Sequence, residues 1–194
     1  MNRVPLRAAT AALVLAACSS AVAAPGTYEL DPFHTYPSFE GDHMGISVWR
    51  GKFNKTTGTM TLDKDAGTGA LDVTIDLSSV DFGMDKMNEE ARGPDFFDVA
   101  KHPTATYKAK LTGFKDGKPT AVEGDLTLHG VTKPVKLTID KWKCMPHPMF
   151  KKEMCGGDAT GTFQRDAFGL TAGKEYGFDM TVTLRVQMES LRKD

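Results

Sequence analysis

Cysteine, one-sided charge and long apolar runs are all scarce in this 194-residue chain. Cysteine occurs three times, too seldom for the Cys-rich ligand sets of structural zinc sites or for a disulfide-dense scaffold. With 24 basic side chains against 25 acidic ones, the formal net charge is −1. That balance argues against a nucleic-acid binder, which carries clustered Lys and Arg. The apolar stretch from Ala8 to Ala17 is about half of the roughly 20 residues a spanning helix needs, and no later run is more apolar, so no transmembrane segment is expected. No repeat of fixed period and no low-complexity linker divides the chain, which predicts one domain.

Arg3 and Arg7, the Ala8 to Ala17 run, and the small residues Ala21-Val22-Ala23 read as a secretory signal over residues 1–23, leaving 24–194 as the exported domain. Leu15-Ala16-Ala17-Cys18 also matches a bacterial lipobox. In that case an acylated Cys18 tethers the domain to a membrane, whereas cleavage after Ala23 frees it. Cys144 and Cys155 remain, an even pair in an exported chain, and are expected to form a disulfide. The rival reading is a metal site of Cys144, His147 and Cys155, which lacks a fourth ligand nearby.

Most of the exported segment alternates apolar and polar residues with period two, the signature of half-buried strands. Leu71, Val73, Ile75 and Leu77 share one face, and the same pattern recurs in Val122 to Leu128, Val135 to Ile139 and Met180 to Met188. Turn residues such as His129-Gly130 and Asp116-Gly117 separate the runs. One interruption, Met84 to Arg92, has helical composition and stops at Gly93-Pro94. About eight strands suit a sandwich or a barrel, and a barrel removes exposed edges. At eight strands the interior is wide enough to be plugged by side chains or to hold one slender ligand. Gly51, Gly58, Ala105, Ala109, Gly124 and Gly161 fall on the inward parity and are read as leaving room there.

Several segments carry a resemblance. Tyr28-Glu29-Leu30-Asp31-Pro32-Phe33-His34 with Phe39, His43 and Gly51-Lys52-Phe53; Pro94-Asp95-Phe96-Phe97-Asp98-Val99 with Lys101-His102-Pro103; Gly124 to Val135; and Arg165-Asp166-Ala167-Phe168-Gly169-Leu170 together resemble the YceI family of periplasmic proteins. They run in family order over nearly all of the exported segment. Thr35-Tyr36-Pro37 departs from the family pattern, and the Cys144 to Cys155 segment resembles only a subset of members. The resemblance implies an all-β fold, an extended antiparallel eight-stranded lipocalin-like β-barrel with the short helix near 84–92. It also implies that the lumen takes a long isoprenoid or similar fatty amphiphile, such as a polyprenyl phosphate or an isoprenoid quinone, without catalysis.

The candidate lumen contacts are Phe39, Phe53, Met60, Val73, Ile75, Tyr107, Leu126, Leu128, Leu137, Phe163, Leu184 and Val186, residues a solidly packed core would use equally well. Head-group candidates are His34, His43 and Arg165. For the two histidines the alternative is turn capping, and for Arg165 it is pairing with Asp166, Asp31 or another carboxylate. Phe96 and Phe97 are expected to plug one barrel end. No nucleophile elbow and no Gly-rich phosphate loop is present, so no catalytic cofactor is expected. Two other functions stand against the carrier: a metal-dependent envelope enzyme using His34, His43, His102, His129 and His147, and a structural envelope lipoprotein with a packed barrel. Association into a homodimer is left open.

Overall fold

The computed structural model describes residues 24–193; the leader, Ala23 and Cys18 lie outside them. Eleven strand segments follow in order: β1 Gly26–Leu30, β2 Tyr36–His43, β3 Ser47–Phe53, β4 Thr56–Asp63, β5 Thr68–Asp76, β6 Val80–Asp81, β7 Thr104–Thr112, β8 Ala121–Leu128, β9 Val131–Pro146, β10 Glu153–Gln164 and β11 Thr181–Arg192. Among the described residues a single α-helix, α1, spans Asp85–Arg92, as its composition predicts. No helix among the described residues is long and apolar enough to cross a membrane.

Eight of these segments close a ring, β1-β4-β5-β7-β8-β9-β10-β11, and β11 returns to β1. The other three are continuations beyond a break. β11 pairs with β2 through Val182 to Gln187 and with β1 through Ser190 to Arg192, so β1 and β2 are one wall strand. β3 continues into β4, and β5 into β6, in the same way. The result is the expected closed, eight-stranded antiparallel barrel.

Local chemistry sets the breaks. Asp31 accepts the Phe33 amide and its own amide donates to Glu189 O, turning the chain out of the wall before Thr35 re-enters it. On the adjoining wall strands, Asn54 and Lys55 donate to Ser79, within the 3-10 turn Leu77–Ser79, so two neighbouring strands bend together. His129 and Gly130 close the β8–β9 hairpin with φ of 53° and 76°, the left-handed pair that a two-residue hairpin of type I′ requires.

The inward glycines do not make empty space. A side chain at Gly58, Gly124 or Gly161 would meet the backbone of a neighbouring strand, and one at Gly51 would meet the Phe39 ring at 2.6 Å. Glycine is needed there for close approach and strong coiling of the wall. None of the four borders the cavity described below.

Cys144 and Cys155 are bonded, their Cα atoms 4.1 Å apart on directly paired positions of β9 and β10. The register of this pair of strands shifts at Asp140: Lys141 pairs with Asp158 but Ile139 with Ala159. One extra residue flips the side-chain parity, so Trp142 and Cys144 face inward along with Val135 and Leu137.

Candidate functional site

A cavity of about 970 Å³ occupies the barrel interior, at the upper end of the range of roughly 300–1,000 Å³ for small-molecule sites. Every wall strand of the ring contributes to it: Leu30, Thr56, Ile75, Tyr107, Leu126, Leu137, Phe163 and Leu184 lie on eight different strands. Phe39, Val73, Phe163, Leu184 and Val186 face inward yet are only partly buried. Their remaining exposure is to the cavity. Apolar surface left open there represents about 25 cal/mol per Å² that a ligand can recover.

One end is stoppered. Tyr28, Met60, Leu62, Cys155 and Ser190 are almost wholly buried and none borders the cavity. Below them the Tyr28 hydroxyl donates to Glu153 Oε2 at 2.6 Å and Lys64 Nζ donates to Oε1 at 2.6 Å. Burial alone would raise the Glu153 carboxyl, but these bonds and the charges of Lys64 and Arg192 overrule it and hold it below its ordinary range. The opposite end is formed by α1, the segment Pro94 to Phe97, and the connection Arg165 to Phe178. There Phe39, Phe53, Phe82 and Phe97 pack with ring centroids 5.4–6.3 Å apart. Phe96 and Phe97 border the cavity at this end.

Eleven of the twelve lumen candidates border the cavity. Met60 does not: it is fully buried beside Tyr28, its cross-strand neighbour, at the stoppered level. Tyr107 spends its hydroxyl on Val135 O at 2.8 Å and so presents only its ring; burial pushes the phenol upward. Sequence parity missed Trp142, because of the bulge, and contributors from outside the strands, including Phe82, Met87 and Phe178. The disulfide contained a signal for Trp142. Cys155 shares inward parity with Phe163, so its partner Cys144 must also point inward, which the parity of Val135 and Leu137 forbids without an extra residue.

The polar candidates separate. His34 lies outside the wall, its Nδ1 2.7 Å from Asp31 Oδ2, which raises its pKa. His43 stacks on Trp49 with centroids 4.2 Å apart and stands behind it, away from the cavity. Arg165 does border the cavity and is half-buried. It pairs with backbone rather than a carboxylate, Nη1 donating to Leu170 O at 2.9 Å and Nη2 to Ala172 O at 2.7 Å. Asp166 is taken by Lys174 at 2.7 Å. Burial lowers the Arg165 pKa, with Asp166 opposing it. Three exposed carboxylates, Glu90, Asp95 and Glu175, share the mouth with this guanidinium. Of the five histidines only His102 and His129 come together, centroids 4.4 Å apart, beside Asp98 and outside the cavity lining.

Comparison with known proteins fits this architecture. The family model of the YceI-like domain matches residues 28–190. The chain belongs to this family. Among curated YceI-like relatives, a UPF0312 protein of Pectobacterium carotovorum is 37% identical over 138 residues, 71% of each chain. Protein YceI of Escherichia coli is 37% identical over 129 residues, 66% of this chain and 67% of its own. Two solved structures share the barrel. BcnA of Burkholderia cenocepacia superposes with a TM-score of 0.63 at 21% identity, covering 82% of this YceI-like chain and 98% of its own. A polyisoprenoid-binding domain from Saccharophagus degradans gives 0.62 at 21% identity, covering 85% and 98%.

Proposed function

We propose that this chain binds and carries a long isoprenoid lipid in its barrel, without catalysing a reaction, as an exported protein of the periplasm. The observation that carries this reading is the apolar cavity of about 970 Å³, stoppered at one end. The YceI-like relationship and the polyisoprenoid-binding neighbour support it. At roughly 30 Å³ per heavy atom, the share of one molecule in liquid water, the cavity holds about 30 heavy atoms, or about six isoprene units. Each sheltered methylene is worth about 0.8 kcal/mol, so the tail dominates affinity over an ordering cost of several kcal/mol. A smooth apolar tube discriminates single methylenes weakly, and selectivity therefore rests on the head group.

Charge at the mouth favours a neutral head group such as a quinone over a polyprenyl phosphate. Asp95 and Glu175 oppose a phosphate, Glu90 being paired with Lys86 at 3.0 Å, and among the lining residues the cation is Arg165, with two of its donors already engaged. The leader 1–23 would deliver the domain to the periplasm, where the disulfide persists, and an acylated Cys18 would hold it at a membrane.

Mass spectrometry of protein purified from the periplasm, under native and then denaturing conditions, tests the reading. A released isoprenoid quinone is expected. Protein that arrives empty and, once delipidated, takes up neither a quinone nor a polyprenyl phosphate overturns it.

A further inference from the structure

Outside the lumen, three metal-ligating side chains from two distant parts of the chain converge. Asp98 and His102 lie in the segment after α1, and His129 in the β8–β9 hairpin. Each offers a ligand atom, and these atoms all lie within 4.8 Å of one another. The Asp98 carbonyl accepts the His102 amide at 2.8 Å, which folds carboxylate and imidazole to the same side of a tight turn.

Two independent features mark this cluster. His129 Nε2 is buried and has no hydrogen-bond partner. A buried polar atom left unpaired is destabilising and demands an explanation, an ion among them. Asp98 and His129 also both hold left-handed backbone, with φ of 45° and 53°, a conformation uncommon for residues other than glycine and enriched where function imposes it. For His129 the hairpin explains the backbone but not the orphaned nitrogen.

We infer that Asp98, His102 and His129 form a binding site for a divalent transition-metal cation of the zinc, nickel or copper type. Two imidazoles and one carboxylate are the donor set such ions prefer, and three protein ligands leave an open coordination position. Lys101 Nζ holds Asp98 Oδ2 at 2.8 Å, but the lysine side chain is 74% exposed. The Asp98 side chain of this pair is only 11% exposed, so the cation must displace Lys101, whose long exposed side chain is free to swing into solvent. Ligand separations of up to 4.8 Å need only small side-chain rotations to place all three atoms at bonding distances of about 2 Å from one ion.

The location gives the site a consequence. Pro94 to Phe97, directly before Asp98, borders the cavity mouth, and Gly169 of the opposite border lies beside His129, where an added Cβ would come within 3.3 Å of Nδ1. A cation would tie the first of these segments to the hairpin beneath the second. It would then slow exit of a bound lipid, and this effect alone rests on the carrier reading; cation binding does not.

Calorimetric titration of delipidated protein with zinc is expected to show one saturable site per chain. At a hundredfold excess over Kd the melting temperature should rise by about 5–10 °C and fall back on chelation. His102→Gln and Asp98→Asn should each weaken binding by at least about tenfold, since even a supporting residue around a metal costs that much, whereas His147→Gln should not. Copper-loaded wild-type protein provides a readout independent of any variant: its electron paramagnetic resonance spectrum should carry the couplings of two imidazole nitrogens. No saturable binding, one imidazole or none in that spectrum, or a site that survives His102→Gln and Asp98→Asn would overturn the proposal.

Discussion

Leu184→Trp is the sharpest test of a lipid in the lumen. Leu184 lies on β11 between Gly161 on β10 and Phe39 on β2, faces the cavity and is only partly buried. Phe39 stands on one side, and the space over Gly161 on the other is taken by Lys136 O and the Leu137 side chain, so the added ring must extend into the lumen. Tryptophan carries about six more heavy atoms than leucine, which displaces about one isoprene unit from a tail that fills the tube. At about 0.8 kcal/mol per carbon the loss is about 4 kcal/mol, or nearly a thousandfold in Kd. Folding should be spared, because the ring enters open space rather than a filled core. The control is Thr183→Trp, which places the same ring on the outer face of the same strand. Delipidated proteins would be titrated with a quinone bearing a six-unit tail, with native mass spectrometry for stoichiometry and calorimetry for affinity. A folded Leu184→Trp that binds like wild type, or a Thr183→Trp that loses as much, would refute the assignment of this face to the ligand.

Three further outcomes are expected. Reduction, or Cys144→Ser, should lower the melting temperature by up to about 6–12 °C, since a loop this short contributes about 3 kcal/mol or less; scanning calorimetry with and without reductant reads it, and an unchanged melt counts against the bridge. Glu153 has a depressed carboxyl in the folded state, so its contribution is present above the ordinary glutamate value near about pH 4.3 and lost as pH falls through the folded value. Denaturant titrations from pH 6 to about pH 3 should therefore show a steeper loss in wild type than in Glu153→Gln, and parallel curves would dismiss the linkage. Arg165→Met should lower affinity for a quinone by about tenfold while leaving a headless isoprenoid hydrocarbon unaffected; equal losses for both would mean that Arg165 only fastens the Leu170 to Ala172 backbone.

What the sequence discloses about this protein follows from which interactions are periodic. The strands were legible because burial on one face repeats every second residue, as in Leu71, Val73 and Ile75. The same parity places eleven lumen candidates on the cavity. It misplaces Met60 because alternation reports the inner face but not the height along the barrel, and Met60 sits at the level of Tyr28, where the interior is filled. It misreads Gly58 and Gly124 for a related reason: a missing side chain looks like space, whereas here neighbouring backbone occupies it. Long-range convergence leaves no periodic trace at all. His102 and His129 belong to a loop and a hairpin that only the closed ring brings together, and the carbonyl partners of Arg165 depend on how the connection after β10 folds back.

The asymmetry of the interior fixes how an amphiphile must sit. At the stoppered end the polar groups near the axis are already satisfied: Tyr28 donates to Glu153, and Ser190 donates to the Cys155 carbonyl. A head group pushed down to Met60 and Leu62 would find no partner and would lose its hydration uncompensated, at about 1–3 kcal/mol for each hydrogen bond forgone. At the mouth the same group meets Arg165, exposed backbone and water. The tail of the proposed ligand would therefore enter first, with the head among α1, Pro94 to Phe97 and the Arg165 connection. These are the elements that lie outside the regular ring, and on the proposed reading their side chains would distinguish one head group from another.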